Sequence, residues 1–325
     1  MRKQEQILIL GNGRIARAAA YYFKKNKIGR ISFLSADKEA AACGLLVGAL
    51  PGALGERGLA LALKYRKNLL DISDLDPPFY LAKKKEIEQA GITVIPGCGF
   101  SPGLVNFILG RELSLNNKLR EIEVKAGSLS PKKYFFPFLW CFEDLVLEHQ
   151  IPSSQIISGK KLKFAPFAGY QKEKFFGLEA ESYFCASGFE NILGKAGVKN
   201  FKCRVVRPSG FMHFFNFLKS YSLLQAKELL EAKKEDNFTL SEITISTGKK
   251  KIRWLLKSFS RKIEALNSMQ KITASVPAVI GRLLLENKIK SKGILFMEEL
   301  GRDKFLFNAL LSGIKKEGVA VRRNG

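Results

Sequence analysis

The sequence is poor in histidine and in cysteine pairs. Its 325 residues include only two histidines, His149 and His213, and its five cysteines form no C-x-x-C pair. Spacing therefore gives no support to a zinc site, and we expect no metal. An odd number of cysteines in a chain of this length argues against a disulfide framework and favours a reduced, cytoplasmic location.

Long apolar runs are absent, and acidic residues are outnumbered. No stretch of 18 or more apolar residues occurs, so the sequence predicts no membrane span. Asp and Glu number 30 against 54 Lys and Arg, which gives a formal net charge of +24. Such a charge can attract nucleic acid or an anionic membrane. Because the basic residues are spread along the chain without a recognised nucleic-acid motif, we expect solvated basic surfaces and neither partner.

Glycines after the first apolar run carry the strongest signal. The run ends at Gly11, a helical pattern begins at once, and Gly11, Gly13 and Ala16 fit the spacing G-x-G-x-x-G/A. Gly11 allows a tight turn, Gly13 lets a pyrophosphate approach the backbone, and Ala16 lets the helix pack closely. The alternative is an ordinary strand–helix turn. The predicted cofactor-binding turn comprises Gly11, Asn12, Gly13, Arg14, Ile15 and Ala16.

An acidic residue follows the second predicted strand, Ile31–Leu34. Asp37 comes 21 residues after Ala16, close to the roughly 20-residue spacing at which a carboxylate binds the ribose 2′-hydroxyl of NAD. This spacing slightly favours NAD. Lys38 beside it could instead meet a 2′-phosphate, so NADP stays open.

Strands and helices alternate over residues 1–106, which predicts a mostly parallel sheet. Only a short link separates the second strand from the apolar run Leu45–Leu50, where a full nucleotide-binding half has a helix, a strand and a helix. We therefore expect an α/β domain with a shortened, Rossmann-like, doubly wound sheet. Residues 277–325 are expected to complete it, with the tail Val319–Val321 as a strand.

The pattern changes from about Phe107 onward. Glu121–Ala126 alternates polar and apolar residues, and Ile243–Thr247 and Ile252–Phe259 flank a turn typical of a hairpin. These features predict an α+β domain with an antiparallel sheet over residues 107–276. We expect this domain to bind substrate and to form a homodimer.

Polar residues of the second half form two candidate groups. Glu148 and His149 could be a catalytic proton-transfer pair, and His149 is favoured because its unperturbed pKa lies near neutrality. Adjacent helical positions do not face each other, so both reach one site only on an irregular backbone. Arg207 lies in a break between a strand and a helix. It could hold a substrate carboxylate by two hydrogen bonds, or be a surface arginine.

In their order along the chain, these motifs resemble the saccharopine dehydrogenase-like oxidoreductases, which include saccharopine reductase and lysine 6-dehydrogenase. The resemblance extends from the glycine turn to Glu298. The stretches that carry it are Gly11–Ala16, Ala49–Pro51, Leu70–Ser73, Ala90–Leu104, Trp140–Pro152, Arg207–Gly210, Met269–Pro277 and Gly293–Glu298.

The resemblance implies hydride transfer between NAD or NADP and the amine or imine carbon of an amino acid. A lysine-type substrate and a role in amino-acid metabolism follow from it. It places the nicotinamide near Leu50, Pro51, Asp71 and Ser73. It assigns substrate binding to Gly99, Ser101, Pro102, Gly103, Trp140 and Arg207.

Several positions depart from the family's pattern. Ser101 replaces an acid, Cys141 a serine, Asp144 a glycine, His149 a tyrosine and Phe211 a histidine. Two interpretations stay open. One is an active dehydrogenase with its own substrate. The other is a nucleotide-binding sensor or assembly factor without catalysis, since a fold does not fix a function.

Overall fold

The structure is a computed structural model, in which the chain folds into two compact units. It describes residues 5–73, 75–116, 119–137, 139–185, 188–193, 197–220, 225, 227–228, 230, 234–248 and 250–325. Unit 1 contains Met1–Asn117, Gly188–Lys195 and Ile272–Glu317. Unit 2 contains Lys118–Ser187, Ala196–Lys271 and Gly318–Gly325.

Unit 1 is built on a parallel sheet. Its strands, within the described residues, are β1 (Gln6–Leu10), β2 (Arg30–Phe33), β3 (Leu45–Gly48), β4 (Asn68–Asp71), β5 (Thr93–Ile95) and β14 (Gly293–Ile294). Their order is β14-β5-β4-β3-β1-β2, and each pairing is parallel. Apolar runs such as Ile7–Leu10 are fully buried, as expected of strands covered on both faces. The predicted Rossmann-like sheet is confirmed.

Helices of unit 1 connect these strands. They are α1 (Arg14–Lys25), α2 (Glu56–Tyr65), α3 (Pro77–Ala82), α4 (Lys84–Ala90), α5 (Leu104–Leu115), α7 (Glu190–Leu193), α9 (Ser268–Leu285, from residue 272 onward), α10 (Met297–Arg302) and α11 (Lys304–Lys316). A short 3-10 helix, Asp37–Ala42, links β2 to β3 and accounts for the predicted shortening. The predicted domain boundary at residue 106 falls inside α5, which lies within unit 1 as a whole.

Unit 2 is built on a mixed sheet. Its strands are β6 (Glu121–Leu129), β7 (Ser153–Ile157), β8 (Lys160–Phe164), β9 (Gln171–Phe175), β10 (Leu178–Phe184), β11 (Asn200–Pro208), β12 (Asn237–Ser246), β13 (Lys251–Ser260) and β15 (Ala320–Asn324). The main order is β15-β13-β12-β6-β11-β10-β9, with β7 joining β11 to β8. Among the described strands of unit 2 the pairings are antiparallel, as predicted, except that β6 and β11 run parallel and make the sheet mixed. The long connection between them permits this, because parallel neighbours need a crossover.

The C-terminal tail contradicts its predicted place. Strand β15 pairs antiparallel with β13, from Lys257 with Ala320 to Arg253 with Asn324. The tail therefore belongs to the sheet of unit 2, and its assignment to the first domain is wrong. The physical reason is that β13 ends the β12–β13 hairpin with an open edge that another strand can pair with.

Helices α6 (Phe142–Glu148) and α8 (Phe211–Lys219) pack in an aromatic core of unit 2. Buried members of that core include Phe142, Tyr183 and Phe215. All five cysteines of the chain are free thiols. In the part of the chain that the structure describes, no helix is both long and apolar enough to cross a membrane.

Candidate functional site

The turn after β1 has the backbone shape that the glycine motif predicts. Gly11 has φ +102°, a conformation that residues with side chains rarely adopt. A Cβ atom there would lie 2.4 Å from the carbonyl oxygen of Ala49, which follows the neighbouring strand β3. The fold itself therefore requires glycine at position 11.

Gly13 differs from Gly11 because the fold does not require it. Its φ of −73° suits any residue, and a Cβ there would meet no heavy atom of the described chain within 4 Å. Gly13 is the N-cap of α1, and no side chain caps the helix there. The first N–H groups of a helix have no partner inside it. The space beside Gly13 leaves room for a phosphate to reach them.

The other residues of the turn lie together as predicted. Arg17 on α1 donates from Nε to the carbonyl oxygen and to Oδ1 of Asn12, each at 3.0 Å. Ala16 is fully buried, and Arg14 and Ile15 are half-buried in the first turn of α1. This turn combines a fixed backbone with an open approach to the helix N-terminus.

Asp37 begins the 3-10 helix that follows β2. Its Oδ1 accepts a hydrogen bond at 2.7 Å from Nη2 of Arg57, in the first turn of α2. Strand β2 is the neighbour of β1 in the sheet. Asp37 therefore follows the strand next to the glycine turn, where folds of this type bind the ribose of a dinucleotide.

A buried hydrogen-bond network joins the loops after β3 and β4. Oδ1 of Asp71 accepts from the N–H of Ser73 at 2.8 Å, and Oδ2 accepts from the Tyr80 hydroxyl at 2.9 Å. The Ser73 hydroxyl accepts from the N–H of Leu50 at 3.3 Å. Burial raises the pKa of the Asp71 carboxyl despite these hydrogen bonds. Asp71 thus supports the loop containing Leu50 and Pro51 from within, which does not favour direct contact with a cofactor.

The glycine- and proline-rich loop after β5 closes on itself. A Cβ on Gly103, whose φ is +135°, would lie 2.1 Å from the carbonyl oxygen of Gly99. The N–H of Gly103 also donates to Oδ1 of Asn106 at 3.0 Å. Ser101 and Pro102, joined by a cis peptide bond, are partly exposed. The loop therefore presents Ser101 and Pro102 outward on a backbone that other residues fix.

A small pocket in unit 1 lies beside this loop. Pro102 and Gly103 line it together with Asn106, Gly188 and Glu298. Asn106 donates from Nδ2 to the carbonyl oxygen of Gly188 at 3.1 Å. The structure thus brings two of the predicted substrate-binding residues to a concave surface that is mainly apolar, with Asn106 and Glu298 as its polar side chains.

Arg207, on β11 of unit 2, is buried in a polar and aromatic cluster. It is 5% exposed, and its Nη2 donates to both carboxylate oxygens of Glu148 at 3.1 Å. The guanidinium carbon lies 5.2 Å from the ring centre of Trp140 and 5.6 Å from that of Phe211. The surface-arginine alternative is therefore wrong. Among the described residues, the buried Nε of Arg207 has no hydrogen-bond partner.

His149 follows α6 and is 2% exposed. Its Nδ1 lies 2.8 Å from the carbonyl oxygen of Leu145, and its Nε2 lies 2.8 Å from the hydroxyl of Tyr183. Burial lowers the pKa of His149 to about 4, so the ring is neutral at pH 7. The aromatic rings around it are those of Phe167, Tyr183, Phe211 and Phe215. This geometry is that of a structural histidine and does not favour the predicted proton transfer.

Glu148, the other predicted catalytic residue, has a different partner from His149. Its carboxylate accepts hydrogen bonds from Arg207, and Cys185 approaches one of its oxygens at 3.1 Å. The two adjacent side chains therefore do not meet in one site, as helical spacing predicts.

The sequence did not predict the hydrogen-bond partners of three candidate residues. They are Arg57 for Asp37, Tyr80 for Asp71 and Tyr183 for His149. Arg57 lies 20 residues from Asp37, and Tyr183 lies 34 residues from His149. No motif marks such pairs. Tyr80 lies nine residues after Asp71, on the next helix. The sequence signal for this pair is a tyrosine on the buried face of that helix.

Comparisons with known proteins identify the fold. No profile of a known protein family matches the sequence, and no curated protein matches it. The chain is similar to apo saccharopine dehydrogenase (L-Glu forming) from Saccharomyces cerevisiae, with TM-score 0.73, 14% identity and coverage of 98% of this chain and 99% of that chain. A DAP dehydrogenase from C. glutamicum gives TM-score 0.48 and 12% identity over 95% of this chain and 99% of that one. The resemblance predicted from the sequence is confirmed for the fold.

Proposed function

We propose that the chain is an NAD(P)-dependent oxidoreductase that moves a hydride to or from the nitrogen-bearing carbon of an amino acid. A lysine-type substrate is the class that the sequence resemblance favours. The observation that carries the proposal is the contrast between Gly11 and Gly13. The fold requires the first glycine, whereas the space beside the second is not occupied by any of the described residues.

A dinucleotide pyrophosphate is the proposed occupant of that space. Partial positive charge at the N-terminus of α1 favours an anion there, and the absence of a Cβ lets it reach the backbone N–H groups. Asp37, which follows the neighbouring strand, is the proposed contact for the adenosine ribose. The loop of Leu50 and Pro51, held by Ser73, is assigned to the nicotinamide half.

The cofactor, when bound, supplies the hydride chemistry. The tasks of the chain are to bind the cofactor and to orient the substrate carbon. Arg207 is the proposed contact for a substrate carboxylate, because its buried Nε is an unused donor. An N–H group buried without an acceptor is costly, and a carboxylate oxygen would satisfy it.

Titration of the purified chain with NADH and NADPH, each followed by calorimetry, tests the proposal. We expect micromolar binding of at least one form and its loss in Gly13→Asp, because a carboxylate would fill the space and repel the pyrophosphate. The variant keeps the fold, since φ at position 13 suits any residue and Asp is a favoured N-cap.

Gly13→Ala is the matched control, because it adds one methyl group without charge. It should weaken binding less than Gly13→Asp does. Equal binding by the Asp variant and the unmodified chain would contradict the proposal, provided that thermal unfolding confirms an intact fold. Reduction of NAD or NADP with lysine or saccharopine would then test the substrate class.

A cofactor-binding protein without turnover is the second candidate. It is favoured by the positions of His149 and Glu148, since one is enclosed in the core and the other is paired with Arg207. This candidate predicts cofactor binding that Gly13→Asp abolishes, with no reduction of the cofactor in the presence of any amino acid.

A further inference from the structure

The ion pair of Asp37 and Arg57 stands where the adenosine ribose of the proposed cofactor would lie, and the inference drawn from it rests on the proposed function. Nη2 of Arg57 donates to Oδ1 of Asp37 at 2.7 Å. The side chains are 57% and 48% exposed, respectively. A ligand arriving at this position would therefore meet a paired carboxylate and guanidinium.

Arg57 has more N–H donors than its ion pair with Asp37 uses. A guanidinium carries five N–H donors in a rigid fork, and in the described part of the chain Asp37 is the hydrogen-bond partner of Arg57. An exposed ion pair of this kind is weak. A dianionic phosphate nearby can therefore draw the guanidinium away from the carboxylate, and it offers a geometry that the fork matches with two bonds.

The 3-10 helix beside Arg57 carries one further carboxylate and one further cation, so the local charges balance. The other carboxylate of the 3-10 helix, Glu39, accepts the N–H of Ser35 at 3.0 Å and also its hydroxyl. Lys38 follows Asp37 directly and adds a second cation. Asp37 alone would accept hydrogen bonds from a ribose diol and repel a 2′-phosphate. Arg57 removes that repulsion.

We propose that Arg57 selects the 2′-phosphorylated cofactor, so that this chain binds NADPH in preference to NADH. In the bound state, the guanidinium of Arg57 turns from Asp37 to the 2′-phosphate. Lys38 contributes charge but not the two-pronged geometry. The preference thus depends on a residue of α2 that lies far from Asp37 in sequence.

Calorimetric titrations with two cofactor fragments that differ only in the 2′-phosphate, 2′,5′-ADP and 5′-AMP, test this assignment, alongside NADPH and NADH. We expect the unmodified chain to bind the 2′-phosphorylated member of each pair at least about ten-fold more tightly, which is about 1.4 kcal/mol. Arg57→Ala should remove most of this preference by weakening the phosphorylated ligands alone. Lys64→Ala, which removes a charge from the other end of α2, is the matched control and should keep it.

Asp37→Asn gives a second, independent readout. Because it removes the repelling carboxylate without changing its shape, it should strengthen the binding of 2′,5′-ADP and weaken that of NADH. An unchanged preference in Arg57→Ala, or tighter binding of 5′-AMP than of 2′,5′-ADP by the unmodified chain, would overturn the assignment while leaving the proposed function intact. Failure of the unmodified chain to bind any of the four ligands would overturn both.

Discussion

Polar side chains at the strand ends of unit 1 and those in the core of unit 2 are used differently. In unit 1, Asp37 is half exposed and Gly13 borders open space. In unit 2, His149 and Arg207 are 2% and 5% exposed, and other groups of the same unit are their partners. The contrast shows that the loops of unit 1 keep groups exposed for a ligand, whereas the polar side chains in the core of unit 2 pair with one another, although the buried Nε of Arg207 has no hydrogen-bond partner among the described residues.

The most severe test of this comparison is Glu148→Ala. It leaves the guanidinium of Arg207 buried with no counter-charge, and breaking a buried pair in this way costs about 3–5 kcal/mol of unfolding free energy. Urea unfolding of the variant and the unmodified chain measures the loss. Arg57→Ala breaks the exposed pair with Asp37 and is the matched control, for which we expect a loss below about 1 kcal/mol.

Comparable losses of unfolding free energy in Glu148→Ala and Arg57→Ala would contradict the contrast between the two units. They would mean that Arg207 is as well hydrated as Arg57 and that its burial does not commit it to Glu148. A double variant, Glu148→Leu with Arg207→Met, sharpens the result. Replacing both charges by apolar groups should recover much of the stability that Glu148→Ala loses.

The next largest effect concerns His149 and pH. Its pKa falls from about 6.5 in the unfolded chain to about 4 in the fold, because burial disfavours the charged ring. Above pH 6.5 the ring is neutral in both states. Between pH 6.5 and 4 only the unfolded state gains the proton, so His149 removes up to about 3 kcal/mol of stability over that range.

His149→Phe should remove this pH dependence of stability while keeping an aromatic ring at position 149. The rings around that position are those of Phe167, Tyr183, Phe211 and Phe215. Urea unfolding at pH 7.5 and 4.5 measures it as the difference between the variant and the unmodified chain. Tyr183→Phe is the matched control, because it deletes the hydrogen bond but keeps the imidazole, and it should retain the acid sensitivity. If His149→Phe loses as much stability at low pH as the unmodified chain does, the imidazole of His149 is hydrated in the fold and its burial does not cause the acid sensitivity.

The sequence was sufficient to predict the parallel sheet of unit 1, because the features of that sheet follow from local backbone conformation. Consecutive apolar residues such as Ile7–Leu10 predict a strand covered on both faces, and alternation with helices predicts parallel pairing. Unit 2 has no such local rule. Period-two alternation is the same for parallel and antiparallel strands, so the β6–β11 pairing and the partner of β15 depend on contacts between distant segments.

The candidate site divides in the same way. The glycine turn was predictable because backbone conformation restricts position 11 to glycine. The surroundings of His149 were not predictable, because the aromatic rings that enclose it belong to separate segments of unit 2. Nor does any spacing rule join Asp37 to Arg57. Side-chain roles that depend on tertiary neighbours need the structure.

Tyr80→Phe gives the smallest expected effect and tests a buried carboxyl, Asp71, at the end of strand β4. It removes the hydroxyl that donates to Asp71, and loss of a hydrogen bond to a carboxylate costs about 2 kcal/mol at a pH where the carboxyl is ionised. The cost depends on pH. Because burial has already raised the pKa of Asp71 and Tyr80 opposes that shift, the variant raises the pKa further.

A carboxyl with a raised pKa is most favourable to folding at low pH, and that contribution is lost as the pH rises. Tyr80→Phe should therefore lose more stability at pH 8 than at pH 4.5, as measured by urea unfolding, and Tyr65→Phe on α2 is the matched control. A loss independent of pH would mean that Tyr80 acts by packing alone. In that case Asp71 would not depend on Tyr80, and the support of the Leu50 loop would rest on Ser73.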